Sequence, residues 1–149
     1  MVPPNGKQAM AQPSASQFPH GADIGIRGAG PTRAAAFEQA ELALAAAVAD
    51  PAAVRPAQMV TVECEAPDDR LLLCDWLNAL IYEMAVRRMV LGRFEVTLNG
   101  QHLVGRAWGE VVDRARHAPA AEPKGATLSG IRVAQEADGG WIAECIVDV

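Results

Sequence analysis

Positive charge is in short supply in this 149-residue chain: 13 Lys and Arg stand against 18 Asp and Glu, a net charge of -5 and a pI near 5.1. Proteins that hold nucleic acid by neutralising phosphates need a basic face, so direct, sequence-specific binding of RNA or DNA is not expected. Cysteine is scarce as well. Cys64, Cys74 and Cys145 are odd in number, far apart and without a C-x-x-C pair, which argues against a disulfide framework and a thiolate zinc site and for a reducing, cytoplasmic setting. His20, His102 and His117 are scattered and form no H-E-x-x-H motif. No apolar run reaches the roughly 20 residues that cross a bilayer. No basic segment followed by an apolar one opens the chain, so neither membrane insertion nor export is expected. Ser-His-Asp order, G-x-S-x-G and Gly-Lys-Ser/Thr are all missing, which leaves nucleophilic catalysis without a candidate.

What is present suits one globular domain: 50% of residues are hydrophobic and 21% charged, enough for one packed core at this length. Residues 1–17 are rich in Pro, Ser, Gln and Ala and predict a disordered tail, with the domain running over 18–149. Asp23 to Gly28 alternates like a strand, and Gly30-Pro31-Thr32 turns into a helix capped by Thr32. Phe37, Ala40, Leu44, Ala47 and Val48 then recur at helical spacing until Asp50-Pro51. Val60, Val62 and Cys64 predict a half-buried strand. A second helix, capped by Asp69 and closed by Gly92, has the stripe Leu73, Trp76, Leu77, Leu80 and Met84, with Arg87 and Arg88 in its last turn. The placement of Trp76 and Trp141 on apolar faces predicts core packing rather than base stacking.

Phe94, Val96 and Leu98 alternate up to Asn99-Gly100, a two-residue hairpin loop that sets Val96 opposite Leu103 and Phe94 opposite Gly105. A polar loop spans about 113–123. Two further strands, from about Lys124 to Glu136 and from Trp141 to Val149, flank a turn at Asp138-Gly139-Gly140. The order β-α-β-α-ββ-ββ predicts an α+β domain with a mixed or largely antiparallel sheet and two helices on one side.

Three constellations bear on chemistry. Gly28-Ala29-Gly30 sits between strand and helix, where glycines can admit a phosphate. Arg33 occupies the place of the third glycine, so a tight turn accounts for the pair. His20-Gly21-Ala22-Asp23 sets an imidazole and a carboxylate at the mouth of the first strand, suited to a metal or a general base, or to a turn in which Asp23 binds backbone N–H groups. Asp148 and the terminal carboxylate of Val149 concentrate oxygen donors of the kind hard cations take, the alternative being a frayed acidic end. On neighbouring strands Asp23 and Asp148 would repel unless a cation or a lysine intervened, and Lys124 is the nearest lysine in topology.

Five stretches together resemble the archease family: His20-Gly21-Ala22-Asp23-Ile24-Gly25-Ile26, Trp76-Leu77-Asn78, Gly109-Glu110, Lys124-Gly125-Ala126-Thr127 and the terminal Val147-Asp148-Val149. The order and separations fit over about residues 18–149. The resemblance implies the archease fold and a non-catalytic activator of an RtcB-type RNA ligase, promoting guanylylation of the ligase and its repeated turnover in tRNA splicing and RNA repair. It further implies a divalent cation (Ca²⁺, or Mg²⁺ or Mn²⁺) on Asp23, Asp148 and Val149, with Lys124 and His20 as functional residues toward the partner. Gly21 stands where the family has Thr, Gly125 separates Lys124 from Ala126, and Leu128 replaces an aromatic. Two other readings stay open: a metal-dependent phosphoesterase using Asp23 and Asp148, and an archease-like binding module that supports no ligase.

Overall fold

The computed structural model describes residues 12–149. Along the chain come β1 (Ser14–His20), β2 (Asp23–Gly30), α1 (Arg33–Val48), a 3₁₀ turn (Pro51–Ala53), β3 (Gln58–Glu65), α2 (Asp69–Arg87), β4 (Met89–Asn99), β5 (His102–Val111), the single-turn α3 (Arg114–His117), β6 (Gly125–Gln135) and β7 (Trp141–Asp148). The architecture is α+β and every strand pair is antiparallel. The strands divide between two sheets, ordered β1-β2-β7-β6 and β3-β5-β4.

Both helices touch both sheets, instead of lying on one side of one sheet. α1 packs on β1, β2 and β7 and also on β4; α2 packs on β6 and also on β3, β4 and β5. The reason is local composition. Buried positions of α1 include Ala36, Phe37, Ala40, Ala43, Leu44, Ala45 and Val48, which wrap well beyond one stripe, so the helix has apolar surface to bury in two directions. Small residues let it come close: a Cβ on Gly28 would run into the backbone of Ala36 and Ala40, and one on Gly30 would meet the Ala35 methyl at 2.6 Å. Gly28 and Gly30 therefore lie inside β2 and serve helix-on-sheet contact, not a turn. On α2 the stripe Leu73, Trp76, Leu77, Leu80 and Met84 is buried as the spacing predicts. The Trp76 ring covers Gly105, and its indole N–H donates to the Phe37 carbonyl at 3.0 Å.

Several sequence expectations are corrected. Ser14 to Gln17, assigned to the tail, pair with β2 from Ala29 to Ile26, and Gln17 Nε2 donates to the Ala43 carbonyl at 2.7 Å. Backbone pairing along a free sheet edge supplies what apolar side chains do not. The tail expected over 1–11 falls outside the described residues. The α2 cap is Asp68, whose carboxylate accepts from Leu71 N at 2.9 Å. Asp69 instead accepts from Arg33 Nη1 at 2.5 Å, and Arg33 also donates to Gln101 Oε1 and the Gly100 carbonyl, tying both helix starts to the hairpin. Gly92 does not close α2. The helix stops at Arg87 with Arg88 in left-handed geometry at φ 56°, and Gly92 lies in β4 at a register shift between Leu91 and Arg93. The hairpin loop is Gly100-Gln101, because Asn99 pairs with His102; Val96 thus opposes Gly105 and Phe94 opposes Ala107. That register differs from the expected one by two residues on the partner strand, so each side chain keeps its face.

Candidate functional site: one row across the four-stranded sheet

The β1–β2 hairpin closes through Gly21, at φ 58° in the left-handed region, and Ala22, so that His20 pairs with Asp23. Ile24 pairs with Val147, which brings Asp23 opposite Asp148 at the next step, and Asp148 pairs with Gly125. His20, Asp23, Asp148 and Gly125 therefore form one row at one end of the sheet, with Lys124 and Val149 immediately beyond it. Directly opposed residues of an antiparallel pair point to the same face, and this is the face away from the helices. Two steps along, Phe18, Gly25 and Ile146 share it; two more, Arg27 pairs ionically with Glu144. The inner face carries Ile26, Cys145 and Val147, each fully buried.

Every sequence-predicted site residue thus converges on this end of the sheet, though on different terms. Opposed carboxylates on one face stand about 5 Å apart at Cβ and destabilise the pair unless compensated. Among the described residues neither Asp23 nor Asp148 takes part in an ion pair. Lys124 does not relieve them by a side-chain bridge. Its contribution is main-chain: Lys124 N–H donates to the Asp148 carbonyl at 2.7 Å. Among the described residues no three His, Cys, Asp or Glu side chains gather as a metal cluster. The oxygen groups that the row itself brings together are the side-chain carboxylates of Asp23 and Asp148. Asp23 also borders a shallow, open surface depression between β1 and α1, lined by Gln17, Phe18, Pro19, Ile24 and Ala47 and lying mostly on the helix side of the sheet.

Two residues outside the predicted set shape this end. The Phe18 ring lies over Gly25, where any Cβ would strike it, and Arg27 stacks on that ring at 5.1 Å. This is a physical reason for glycine two residues after Asp23, and the period-2 relation of Phe18 to His20 is the sequence signal for it. Asn78, in the middle of α2, accepts from Ala126 N–H at 2.8 Å. Side-chain bonds from one element to another's backbone leave no mark in a hydropathy pattern, so its partner is invisible in the sequence.

Glu110 belongs to a different locus, in the three-stranded sheet. It accepts from Arg116 Nη2 at 2.6 Å and from Arg55 N–H at 2.7 Å, and its Oε2 is 3.0 Å from Nε2 of the buried His117. His117 Nδ1 accepts from Asp113 N–H at 2.8 Å, which leaves the proton on Nε2 and makes a neutral imidazole the donor to Glu110. The Arg116 bond foremost, then the Arg55 amide, holds the Glu110 carboxyl down to about 2. This cluster fastens the loop after β5 and has the geometry of a structural tie.

The model of the Archease protein family (MTH1598/TM1083) matches residues 16–149. The chain belongs to the archease family. Among archease relatives, Protein archease of Thermococcus gammatolerans is 36% identical over 136 residues, covering 89% of this chain and 96% of that protein. Protein archease of Methanopyrus kandleri is 33% identical, covering 89% and 97%. The archease fold is also that of Methanobacterium thermoautotrophicum protein 1598, whose solution structure superposes with a TM-score of 0.80 at 27% identity over 91% of this chain and 99% of that one. The family match begins inside β1, consistent with that strand being part of the fold.

Proposed function

We propose that this protein is a non-catalytic activator of an RtcB-type RNA ligase, promoting guanylylation of the ligase and multiple turnover in tRNA splicing and RNA repair. The observation that carries the reading is the row His20–Asp23–Asp148–Gly125, assembled from chain segments 100 residues and more apart in an archease-family chain. Asp23, Asp148 and the Val149 carboxylate would hold a divalent cation, Ca²⁺, Mg²⁺ or Mn²⁺, whose charge offsets two opposed carboxylates. Lys124 and His20 flank them and would face the ligase. An acidic protein with a locally charged end suits docking to a basic, RNA-binding partner in the cytoplasm by charge complementarity.

The test is guanylylation of the RtcB-type ligase from the same source with radiolabelled GTP, at substoichiometric amounts of this protein. Wild type is expected to give multiple turnover, and Asp23→Ala and Asp148→Ala to lose it. Equal stimulation by both variants would end this reading.

A further inference from the structure

The beginning of β6 is held by very little sheet. Gly125, Ala126 and Thr127 are in register with β7, after which β6 leaves the ladder and rejoins it at Arg132. The excursion contains Leu128, 46% exposed, and Gly130 at φ 77°. Among the described residues β6 is also the last strand of its sheet, so its other edge has no strand neighbour. Three paired residues between a loop and a bulge fray readily. Yet Lys124 directly precedes them, and its N–H is the bond to the Asp148 carbonyl.

A side chain occupies the free edge at this point. Asn78 Oδ1 accepts from Ala126 N–H at 2.8 Å, and Asn78 Nδ2 faces the carbonyl of the same residue at 3.5 Å. The carboxamide thereby offers Ala126 the acceptor and the donor that a neighbouring strand would offer. Nδ2 also lies 3.4 Å from Cys74 Sγ one turn back, which favours this orientation of the amide. Asparagine is a poorer helix former than leucine, and α2 does not need it as an anchor, since Leu72, Leu73, Trp76, Leu77 and Leu80 are fully buried. What it adds is the location of one backbone unit, two residues from Lys124.

We propose that Asn78 is a positioning residue that acts through Lys124: by holding Ala126 it sets where Lys124, and with it the end of β7 at Asp148, stands relative to Asp23. The ligase arm of the test rests on the function proposed above; the exchange arm does not.

Asn78→Ala, Asn78→Asp, Lys124→Ala and the double variant Asn78→Ala/Lys124→Ala separate the possibilities. Amide exchange at Ala126 should speed up at least about tenfold in Asn78→Ala, with the change confined to 124–127. Asn78→Asp keeps the 2.8 Å acceptor and should keep the protection, which also serves if Asn78→Ala does not fold. Stimulation of guanylylation should fall about tenfold in Asn78→Ala, as small misplacements of acting groups do. The double variant should be no worse than Lys124→Ala, because a residue acting through Lys124 has nothing left to position. Unchanged exchange at Ala126, an unprotected Ala126 in Asn78→Asp, or single effects that multiply in the double variant would overturn the assignment. If wild type stimulates no ligase, the proposed function fails and exchange at 124–127 alone decides for or against Asn78.

Discussion

Two carboxyl groups inside the fold titrate in opposite senses. Glu41 on α1 is fully buried and, among the described residues, neither of its oxygens has a hydrogen-bond partner, so desolvation pushes its carboxyl well above the usual range. A carboxyl raised in the folded state contributes most below the ordinary value of about 4.5 and loses that contribution as pH rises from there toward the folded value. Glu41→Leu should therefore raise stability at neutral pH by about 1–3 kcal/mol and flatten the decline above pH 4.5, read by urea melts across pH. A less stable variant at pH 7 would show that the carboxyl has a partner. Glu110 is the reverse case. Held down to about 2 by Arg116 first, it contributes above about 4.5, and that contribution disappears as pH falls through 2. Glu110→Gln should remove the part of acid destabilisation lying between those values, measured by thermal melts; an unchanged acid limb would count against the Arg116–Glu110–His117 tie. Glu110 is marked in the sequence only as part of the Gly109-Glu110 stretch, with no sign of its Arg116 and Arg55 partners, and Glu41 is not marked at all, because the helix period puts it at a buried position only once α1 is covered on more than one side.

At the scale of elements, glycines separate contact from decoration. Gly28 lets α1 settle on β2, so Gly28→Ala must push the helix off the sheet and should cost about 1–3 kcal/mol of unfolding free energy, with a lower Tm. Gly125 stands beside Lys124, yet a Cβ there would meet only Asn78 Oδ1 at an ordinary 3.6 Å. Gly125→Ala should leave Tm within about a degree or two of wild type, a surface-like effect; a large loss would mean the start of β6 is tighter than described. The periods in the sequence made α1, α2, β3 and the β4–β5 hairpin legible, since each carries a regular apolar repeat. β1 was not legible, because SASQFPH has no such repeat and owes its conformation to the edge of β2. The α2 cap falls one residue before the Asp69 that the sequence suggests because Asp68 and Asp69 are chemically equal, and Arg33, 36 residues away, decides between them by engaging the second.

For the whole molecule, the cation reading has a consequence independent of any ligase. An ion that binds the folded chain and not the unfolded one stabilises by mass action. Millimolar Ca²⁺ or Mn²⁺ should raise Tm, EDTA should reverse it, and Asp148→Asn should abolish the response in a thermal melt. A response equal in Asp148→Asn and wild type would move the ion elsewhere. No helix among the described residues is long and apolar enough to cross a membrane. The sequence by itself determined the α+β class, the two long helices, the β4–β5 and β6–β7 hairpins and the family, because period, turn chemistry and short motifs are local properties. Only the tertiary structure decided that the strands form two sheets with both helices touching each, and that residues 20, 23, 125 and 148 fall in one row. Strand order and register are set by which surfaces can be buried together, and no stretch of the chain carries that information alone.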